Sequence, residues 1–371
     1  MRVLVFNWRD ITHPWAGGAE LVVHEQAKRW VQAGHHVTLF CGEYPGAHRH
    51  SSIDGIEVIR RGGRYTVYLW AVIHYLAVLR GKYDIVIDVE NGIPFFTPLF
   101  CRRPKCCIVY HIHSGQFMVE FGFPLNRIGR FLETVVMPAV YRRQHFITIS
   151  ESTRDEMLRI GICQEYVDVL PCGLDHATYC PMQGKSMHPS IIYLGRLKAY
   201  KRVDLLIRMM PRILSTVPQA QLHIVGKGES QAELNRLVEE LSLAGAVTFH
   251  GWVSTGEKVR LLQQAWVFVT PSMNEGWGLS VLEANACGTP AVAFGVTGLR
   301  SSIKNAHTGL LANDSESMID SIVAILTDET LRHRLEQGAL QWAAEFSWER
   351  TSAESLEYLK NLAHSDERAP D

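Results

Sequence analysis

The chain has 371 residues, 47% of them hydrophobic and 20% charged, with a formal net charge of −1. That length implies two domains rather than a single core, and that charge gives no general pull toward nucleic acid or acidic lipid. Eight cysteines at irregular spacings, with no CxxC pair and with Cys106 beside Cys107, argue against a disulfide framework or a zinc site and for thiols in a reducing compartment.

Taken in order, the first half alternates strand-like and helix-like runs. A strand begins almost at once (3–6), which predicts that no secretory signal precedes the fold. A helix at 19–33, strands at 37–41 and 56–59, and a helix reaching residue 79 follow. Further strands are predicted at 85–88, 108–111, 146–149 and 167–170, with helices over much of 128–142 and at 152–160. Such alternation predicts a parallel, doubly wound sheet. Residues 171–189 hold three prolines and two glycines and read as an interdomain linker. The alternation resumes with strands at 191–194, 222–225, 247–250, 267–270 and 291–294. Residues 316–363 have a helical period throughout, and 367–371 read as frayed. Two α/β halves of this kind predict a cleft where their strand C-termini face each other, which is where open parallel sheets bind ligands.

The most apolar segment, 65–79, falls short of the ~20 residues that a spanning helix needs and carries His74, so it reads as a packed or interfacial helix. Residues 117–143 mix Phe121, Phe123, Phe131 and Tyr141 with Arg127, Arg130, Arg142 and Arg143. Two readings stand for that stretch, a solvated face over a core or a membrane-surface segment. The expected location is cytoplasmic, with peripheral contact at the inner face of the cell membrane as its extension.

The stretch 270–290, TPSMNEGWGLSVLEANACGTP, carries the chemistry. Apolar strands flank a glycine-bearing loop and a helix over 279–286, for which Gly288 is a stop signal and Pro290 a barrier. Glu275 lies in the loop, and Glu283 lies in the first turns of the helix, leaning back toward its start. The two carboxylates are predicted to converge with the N–H groups of Gly276, Gly278, Leu279 and Ser280. Helix-start amides attract anions, and carboxylates accept hydrogen bonds from hydroxyls. A ligand offering phosphates and hydroxyls together is a sugar nucleotide.

Other motifs extend this reading. Gly17 and Gly18 stand directly before a helix, where backbone amides can approach a diphosphate, although a plain turn with a helix cap has the same spacing. Glu20 either faces the ligand or complements the helix dipole. After the strand at 191–194 come Arg196, Lys198, Lys201 and Arg202, suited to gripping phosphate oxygens. Gly226-Lys-Gly228 and Gly276-Trp-Gly278 each give GxG after a strand but lack the third glycine of a dinucleotide fingerprint, so a dehydrogenase ranks low. His111 and His113 sit at a strand end, and two residues apart on an extended chain they share a face. No cysteine or carboxylate in the sequence near them completes a metal set, which favours hydrogen bonding to substrate. Asp88 and Glu90 are the nearby pair that could take a divalent ion, but the basic residues already supply the counter-charge to a diphosphate. The expectation is no metal and no cofactor.

These residues together resemble the retaining glycosyltransferases of family 4. Glu275 followed by Glu283 within EGWGLSVLEANACGTP is similar to that family's paired-glutamate signature. GGAE at 17–20, the His111/His113 strand end, ISEST at 149–153, PCGLD at 171–175 and GRLKAYK at 195–201 match in order and spacing over nearly the whole chain. The resemblance implies the GT-B fold, two Rossmann-like doubly wound domains facing across a cleft. On that pattern an acceptor-side domain spans 1–175 plus a return helix at about 350–371, introduced by FSWER at 346–350, and a donor-binding domain spans 176–349. It implies that Arg196 and Lys201 bind the donor diphosphate, Glu283 the ribose and Glu275 the donor sugar, with Gly17 and Gly18 closing over the phosphates. Gly226, Gly276, Gly278, Leu279 and Ser280 fall on the donor side, and Glu20, His111, His113 and Ser150 on the acceptor side. The reactive-centre histidine maps to His113, since Ser114 and Gly115 lead it into a loop, with His111 second.

The expected function is therefore metal-independent transfer of a sugar, with retention, from a UDP- or GDP-type donor. The acceptor is a carbohydrate or lipid-linked hydroxyl, in polysaccharide, glycolipid or glycoconjugate synthesis. Two rivals are a nucleotide-sugar epimerase or hydrolase on the same scaffold and a non-catalytic sugar-nucleotide-binding partner subunit. The first would act without an acceptor and the second would bind without turnover.

Overall fold

A computed structural model describes residues 1–182 and 184–366; the segment 367–371, read above as frayed, lies outside the described residues. The chain forms two compact units, one of Met1–Gly173 together with the chain from Trp348 onward, the other of Leu174–Ser347.

The first unit is built on eight strands: β1 (Arg2–Phe6), β2 (His36–Cys41), β3 (His50–Ile53), β4 (Ile56–Arg60), β5 (Ile85–Glu90), β6 (Lys105–Val109), β7 (His145–Thr148) and β8 (Val167–Val169). Their order is β3-β4-β2-β1-β5-β6-β7-β8. Val3 to Phe6 are at most 1% exposed, as expected of a central strand covered on both faces. Every pairing is parallel except β3 with β4. β3 carries no strand signal in the sequence, because HSSI is polar and the strand is an edge hairpin partner whose pattern is half-exposed. β6 starts three residues before the 108–111 expected from the sequence. Lys105 opens β6 and the sheet ends at Val109, so His111 and His113 lie beyond it.

The helices of this unit are α1 (Gly18–Gln32), α2 (Val67–His74), α3 (Ser114–Glu120), α4 (Leu125–Phe131), α5 (Met137–Val140) and α6 (Glu151–Arg159). The single helix expected over 128–142 is interrupted by a π turn, Leu132–Val136. Pro138, the second residue of α5, has no N–H to give back to the preceding turn, which is where the ladder slips register. That slip sets Glu133 facing inward, 0% exposed.

In the second unit the strands are β9 (Ser190–Leu194), β10 (Gln221–Val225), β11 (Val247–Gly251), β12 (Val267–Thr270), β13 (Ala291–Phe294) and β14 (Gly309–Ala312), ordered β11-β10-β9-β12-β13-β14. All five pairings are parallel. The short edge strand β14 was not anticipated. The helices are α7 (Val203–Thr216), α8 (Gln231–Glu240), α9 (Thr255–Gln264), α10 (Leu279–Ala286), α11 (Leu299–Ser302), α12 (Ser315–Thr327) and α13 (Glu329–Ala343). One core joins β9, β10 and β12 to α7 and α12 through residues such as Ile191, Leu206, Ile207, Leu222 and Ile322, each 0% exposed. Burying each such side chain contributes about 1.5–3 kcal/mol.

The last helix, α14 (Trp348–Asp366), belongs to the first unit. It packs on α1, where the Trp30 indole N–H donates to the Ser352 carbonyl at 3.1 Å. The Thr351 hydroxyl donates to the Pro171 carbonyl at 2.9 Å, tying the returning chain to the point where it left.

Candidate functional site

In each unit the central strands create a switch point. From β9 the chain proceeds to β10 on one side, while β12 leads to β13 on the other. Loops leaving two such neighbours part, and a crevice opens outside their C-terminal ends. The loop after β9 carries Arg196 and ends in a short turn, Ala199–Lys201; the loop after β12 carries Ser272 and Glu275. The two loops meet. The Met273 N–H donates to the Tyr200 carbonyl at 3.0 Å, and the Lys201 ammonium donates to Glu275 Oε1, which also accepts from the Ser272 hydroxyl at 2.8 Å. Burial opposes the Lys201 charge, but the adjacent Glu275 carboxylate outweighs it and holds the lysine above its ordinary pKa. Arg196 is half-buried on the same loop.

Two glycines explain how these loops come so close. A Cβ on Gly226, whose φ is +136°, would lie 1.9 Å from the Gly195 carbonyl oxygen. The loop after β10 therefore runs backbone-to-backbone against the Arg196 loop, with the Leu197 N–H donating to the Lys227 carbonyl at 3.0 Å. Gly226 is required for this approach, which spacing alone could not separate from phosphate binding. Gly298, missed in the sequence, has φ +78° and underlies the Glu275 loop; a Cβ there would lie 2.1 Å from the Glu275 carbonyl oxygen.

Helix α10 starts from Gly278. The Val281 and Leu282 N–H groups both turn to the Gly278 carbonyl, at 2.8 and 3.4 Å, so the amides of Leu279 and Ser280 are the donors at the helix start. Glu283 sits further along in a cluster of its own. Its Oε1 accepts from the Tyr179 hydroxyl at 2.7 Å and from the Lys258 ammonium at 3.0 Å. The structure thus brings Lys201 to Glu275, with Arg196 on the one loop and Gly276, Gly278, Leu279 and Ser280 continuing the other. Tyr179 and Lys258 were invisible in the sequence, being drawn from the linker and from α9.

At the first unit's switch point, between β1 and β5, Gly17 caps α1 and its N–H donates to Glu20 Oε2 at 2.7 Å. Glu20 is 2% exposed, and its Oε1 accepts from Arg9 at 3.0 Å and from Asn91 at 3.1 Å. Of the two roles open to Glu20, the structure shows the helix-start one: its carboxylate lies in the first turn of α1 and accepts the Gly17 N–H, which also supports the Gly17–Gly18 loop. Ser150, also placed on the acceptor side, is 0% exposed and caps α6, accepting from the Thr153 N–H at 3.1 Å.

His111 and His113 leave β6 together, with ring centroids 3.9 Å apart. They part in environment: His111 is half-buried with Nε2 3.2 Å from Gln116 Oε1, whereas His113 is 6% exposed. His113 Nδ1 lies 3.3 Å from Glu133 Oε1 and 3.6 Å from Glu90 Oε1. Glu133 also accepts the His113 backbone N–H. Burial raises the Glu90 carboxyl well above its usual range, with Glu133 adding to the effect, and burial pushes Glu133 up to about 8. The suggested ion-holding pair Asp88 and Glu90 is not a pair. Asp88 is committed to the Phe95 and Thr97 N–H groups, at 2.9 and 3.1 Å, and to the Thr97 and Tyr141 hydroxyls. By spacing alone, Glu90, His113 and Glu133 could surround a cation, their ligand atoms lying within 4.8 Å of one another. Glu133 was missed because no local pattern marks it; it is twenty residues from His113.

Residues 16–178 match the family described as Glycosyltransferase Family 4, and residues 183–342 match Glycosyl transferases group 1. D-inositol 3-phosphate glycosyltransferase from Stackebrandtia nassauensis is 33% identical over 193 residues, covering 48% of this chain and 44% of that protein. The chain thus aligns with about half the length of that relative. Glycogen synthase from Mycobacterium tuberculosis is 28% identical over 100% of this chain and 97% of its own. Among solved structures, sucrose-phosphate synthase from Thermosynechococcus elongatus superposes with a TM-score of 0.83 at 21% identity, covering 98% and 99% of the two chains. Anabaena HepE in complex with UDP-glucose superposes at 0.77 and 18% identity, covering 97% and 100%.

Proposed function

From the premise that this chain belongs to the family 4 glycosyltransferases and has their GT-B fold, we propose that it transfers a sugar from a nucleotide-diphosphate sugar to an acceptor hydroxyl. In this proposal transfer retains configuration and needs no metal. The observation that carries the reading is the meeting of Lys201 and Glu275 at the β9/β12 switch point, beside the helix-start amides of α10. As the donor bond breaks, the diphosphate gains negative charge. Arg196, Lys201 and the amides of Leu279 and Ser280 are the groups that would stabilise it. Glu275 would exchange its hold on Lys201 for the sugar hydroxyls. Glu283, with Oε1 held by Tyr179 and Lys258, would take the ribose hydroxyls on Oε2. In the first unit, Gly17 and Gly18 are proposed as phosphate-binding amides and His113 as the reactive-centre histidine. The solved HepE complexes hold UDP or UDP-glucose, which makes uridine donors the first to try.

Thermal shift with a panel of nucleoside diphosphates and their sugars, followed by transfer assays on carbohydrate and lipid-linked acceptors, tests the proposal. A saturating donor at a hundred times its Kd should stabilise the protein by about 2.7 kcal/mol. Rapid donor cleavage without acceptor would favour the hydrolase, and binding with no transfer to any acceptor would favour the partner subunit.

We further propose peripheral contact with an anionic membrane at the cytoplasmic face, through the first unit. No helix among the described residues is long and apolar enough to cross a membrane. Yet α2 leaves Leu69, Trp70 and Ile73 exposed, and around α4 Phe123 is 82% and Phe131 55% exposed. Arg64, Arg127, Arg130 and Arg143 are exposed in the same segments. Apolar side chains with basic neighbours suit a lipid surface, each basic residue contributing about 1 kcal/mol on an anionic leaflet. Co-sedimentation with phosphatidylglycerol vesicles but not with phosphatidylcholine vesicles is the expected result; equal recovery in the supernatant with both would reject it.

A further inference from the structure

The least comfortable groups in the first unit are the carboxylates around His113. Glu90 and Glu133 are both 0% exposed. Neither oxygen of Glu90 makes a hydrogen bond of ordinary geometry with another described group, and the Gly92 N–H relieves its charge only in part. Glu133, by contrast, is anchored by the backbone N–H groups of His113 and Ser114. Two carboxylates this close in a low-dielectric interior do not both ionise, because their repulsion adds to the loss of hydration. The titratable groups that face them are Asp88 on β5, Cys107 on β6, Tyr68 on α2, and the imidazoles of His113 and His111.

We propose that Glu90 and Glu133 are positioning residues for His113: the pair retains one proton between its two carboxyl groups, and Glu133 accepts the hydrogen on His113 Nδ1. This inference rests on the reading of His113 as the reactive-centre histidine. The geometry supports it in three ways. Both carboxylates stand at ion-pair distance from the same buried ring nitrogen, 3.3 and 3.6 Å, short of ordinary hydrogen-bond geometry, so a small ring rotation completes the bond to Glu133. Glu133 fixes the ring's own backbone as well as the ring. The π turn that carries Glu133 is the distortion that turns it inward. With the hydrogen held on Nδ1, the imidazole presents Nε2 to substrate in a single tautomer. Glu90 supplies the proton-sharing partner that lets Glu133 stay buried beside it.

The test compares the full chain with Glu133→Gln and Glu90→Gln. In Glu133→Gln the new amide oxygen would still accept the two backbone N–H groups, so the local fold is kept while the negative charge is lost. The expected result for Glu133→Gln is a fall in kcat of at least about tenfold, with KM for donor little changed and the pH–rate profile displaced. Glu133→Asp should recover part of the loss. Nitrogen-15 NMR of the histidine rings gives a readout independent of activity. His113 should be an Nδ1–H tautomer in the native chain and a mixture in Glu133→Gln. Should Glu133→Gln fail to fold, Glu90→Gln carries the same test, with the pH profile as its readout. Wild-type kcat and pH profile in both variants, or an Nε2–H tautomer in the native chain, would overturn the proposal. So would a divalent metal bound one-to-one to the purified protein and lost in Glu90→Gln. If the native chain transfers no sugar at all, the functional reading fails, while the tautomer measurement still decides the positioning.

Discussion

Replacing Lys201 by Ala tests the donor-site chemistry most directly. The Lys201 and Glu275 side chains are 13% and 17% exposed, so their pairing sits between a surface ion pair and a buried one. Truncating the lysine leaves a largely desolvated carboxylate that keeps the Ser272 hydroxyl as a donor. The stability cost should be about 1–3 kcal/mol, below the ~3–5 kcal/mol of a fully buried broken pair. Turnover should fall further than stability explains, by roughly 10²–10³, or about 2.7–4 kcal/mol of lost leaving-group stabilisation. The second variant, Glu275→Gln, separates the two effects. In the double variant Lys201→Ala/Glu275→Gln the uncompensated charge is gone, so the urea midpoint should return most of the way to the native value. Turnover should not return with it. Unfolding curves and kcat at saturating donor are the two measurements. A double variant that recovers both, or a folded Lys201→Ala chain with near-native turnover, would mean that the lysine serves only to neutralise Glu275.

Gly298→Ala should destabilise the second unit by about 2 kcal/mol or more, because its φ of +78° disfavours a side chain and the new Cβ would meet the Glu275 carbonyl at 2.1 Å. A loop shift of about 1 Å should also lower turnover by up to ~10²-fold, and native turnover in this variant would show that the Glu275 loop tolerates displacement. Glu20→Ala should cost about 3 kcal/mol in urea unfolding, the low end for a broken buried pair, since Arg9 keeps its stacking 4.3 Å from the Trp8 ring centre; a loss under 1 kcal/mol would contradict the support role. The pH dependence of stability has a definite sign at Glu133. Its folded pKa is raised from 4.5 to about 8, with that of Glu90 raised beside it, so between those values the folded pair holds a proton that the unfolded chain has released, and stability declines as pH rises. Below about 4.5 the contribution vanishes, and above about 8 the penalty is complete. The difference between the native chain and Glu90→Gln/Glu133→Gln, in which both members of the pair are gone, should therefore slope downward from pH 5 to 8, and a flat or rising difference would refute it.

The alternation of apolar strands and helices made two doubly wound sheets legible, and the boundaries of β12, α10 and β13 could be read almost residue by residue. Continuous β-branched runs have few other uses, and Gly288 with Pro290 punctuates the helix end. The polar edge strand β3 was not legible, because half its side chains face solvent and only its neighbour β4 makes it a strand. The break at Glu133 needed Pro138 to act through the helix ladder, which periodicity alone does not register.

The candidate site divides in the same way. Glu275, Arg196 and Lys201 stood out because they occupy strand-to-helix loops, and Glu283 because it follows Glu275 by eight residues inside the next helix. What belongs to tertiary structure is who partners whom. Lys201 meets Glu275 across seventy-four residues, Tyr179 and Lys258 reach Glu283 from 104 and 25 residues earlier in the chain, and Glu133 reaches back to His113. The chain's own residue order determines which segments can bury themselves, since apolar periodicity is local. Charge pairing and desolvation depend on which loops the sheet order sets side by side, and that becomes definite only once the strands have closed.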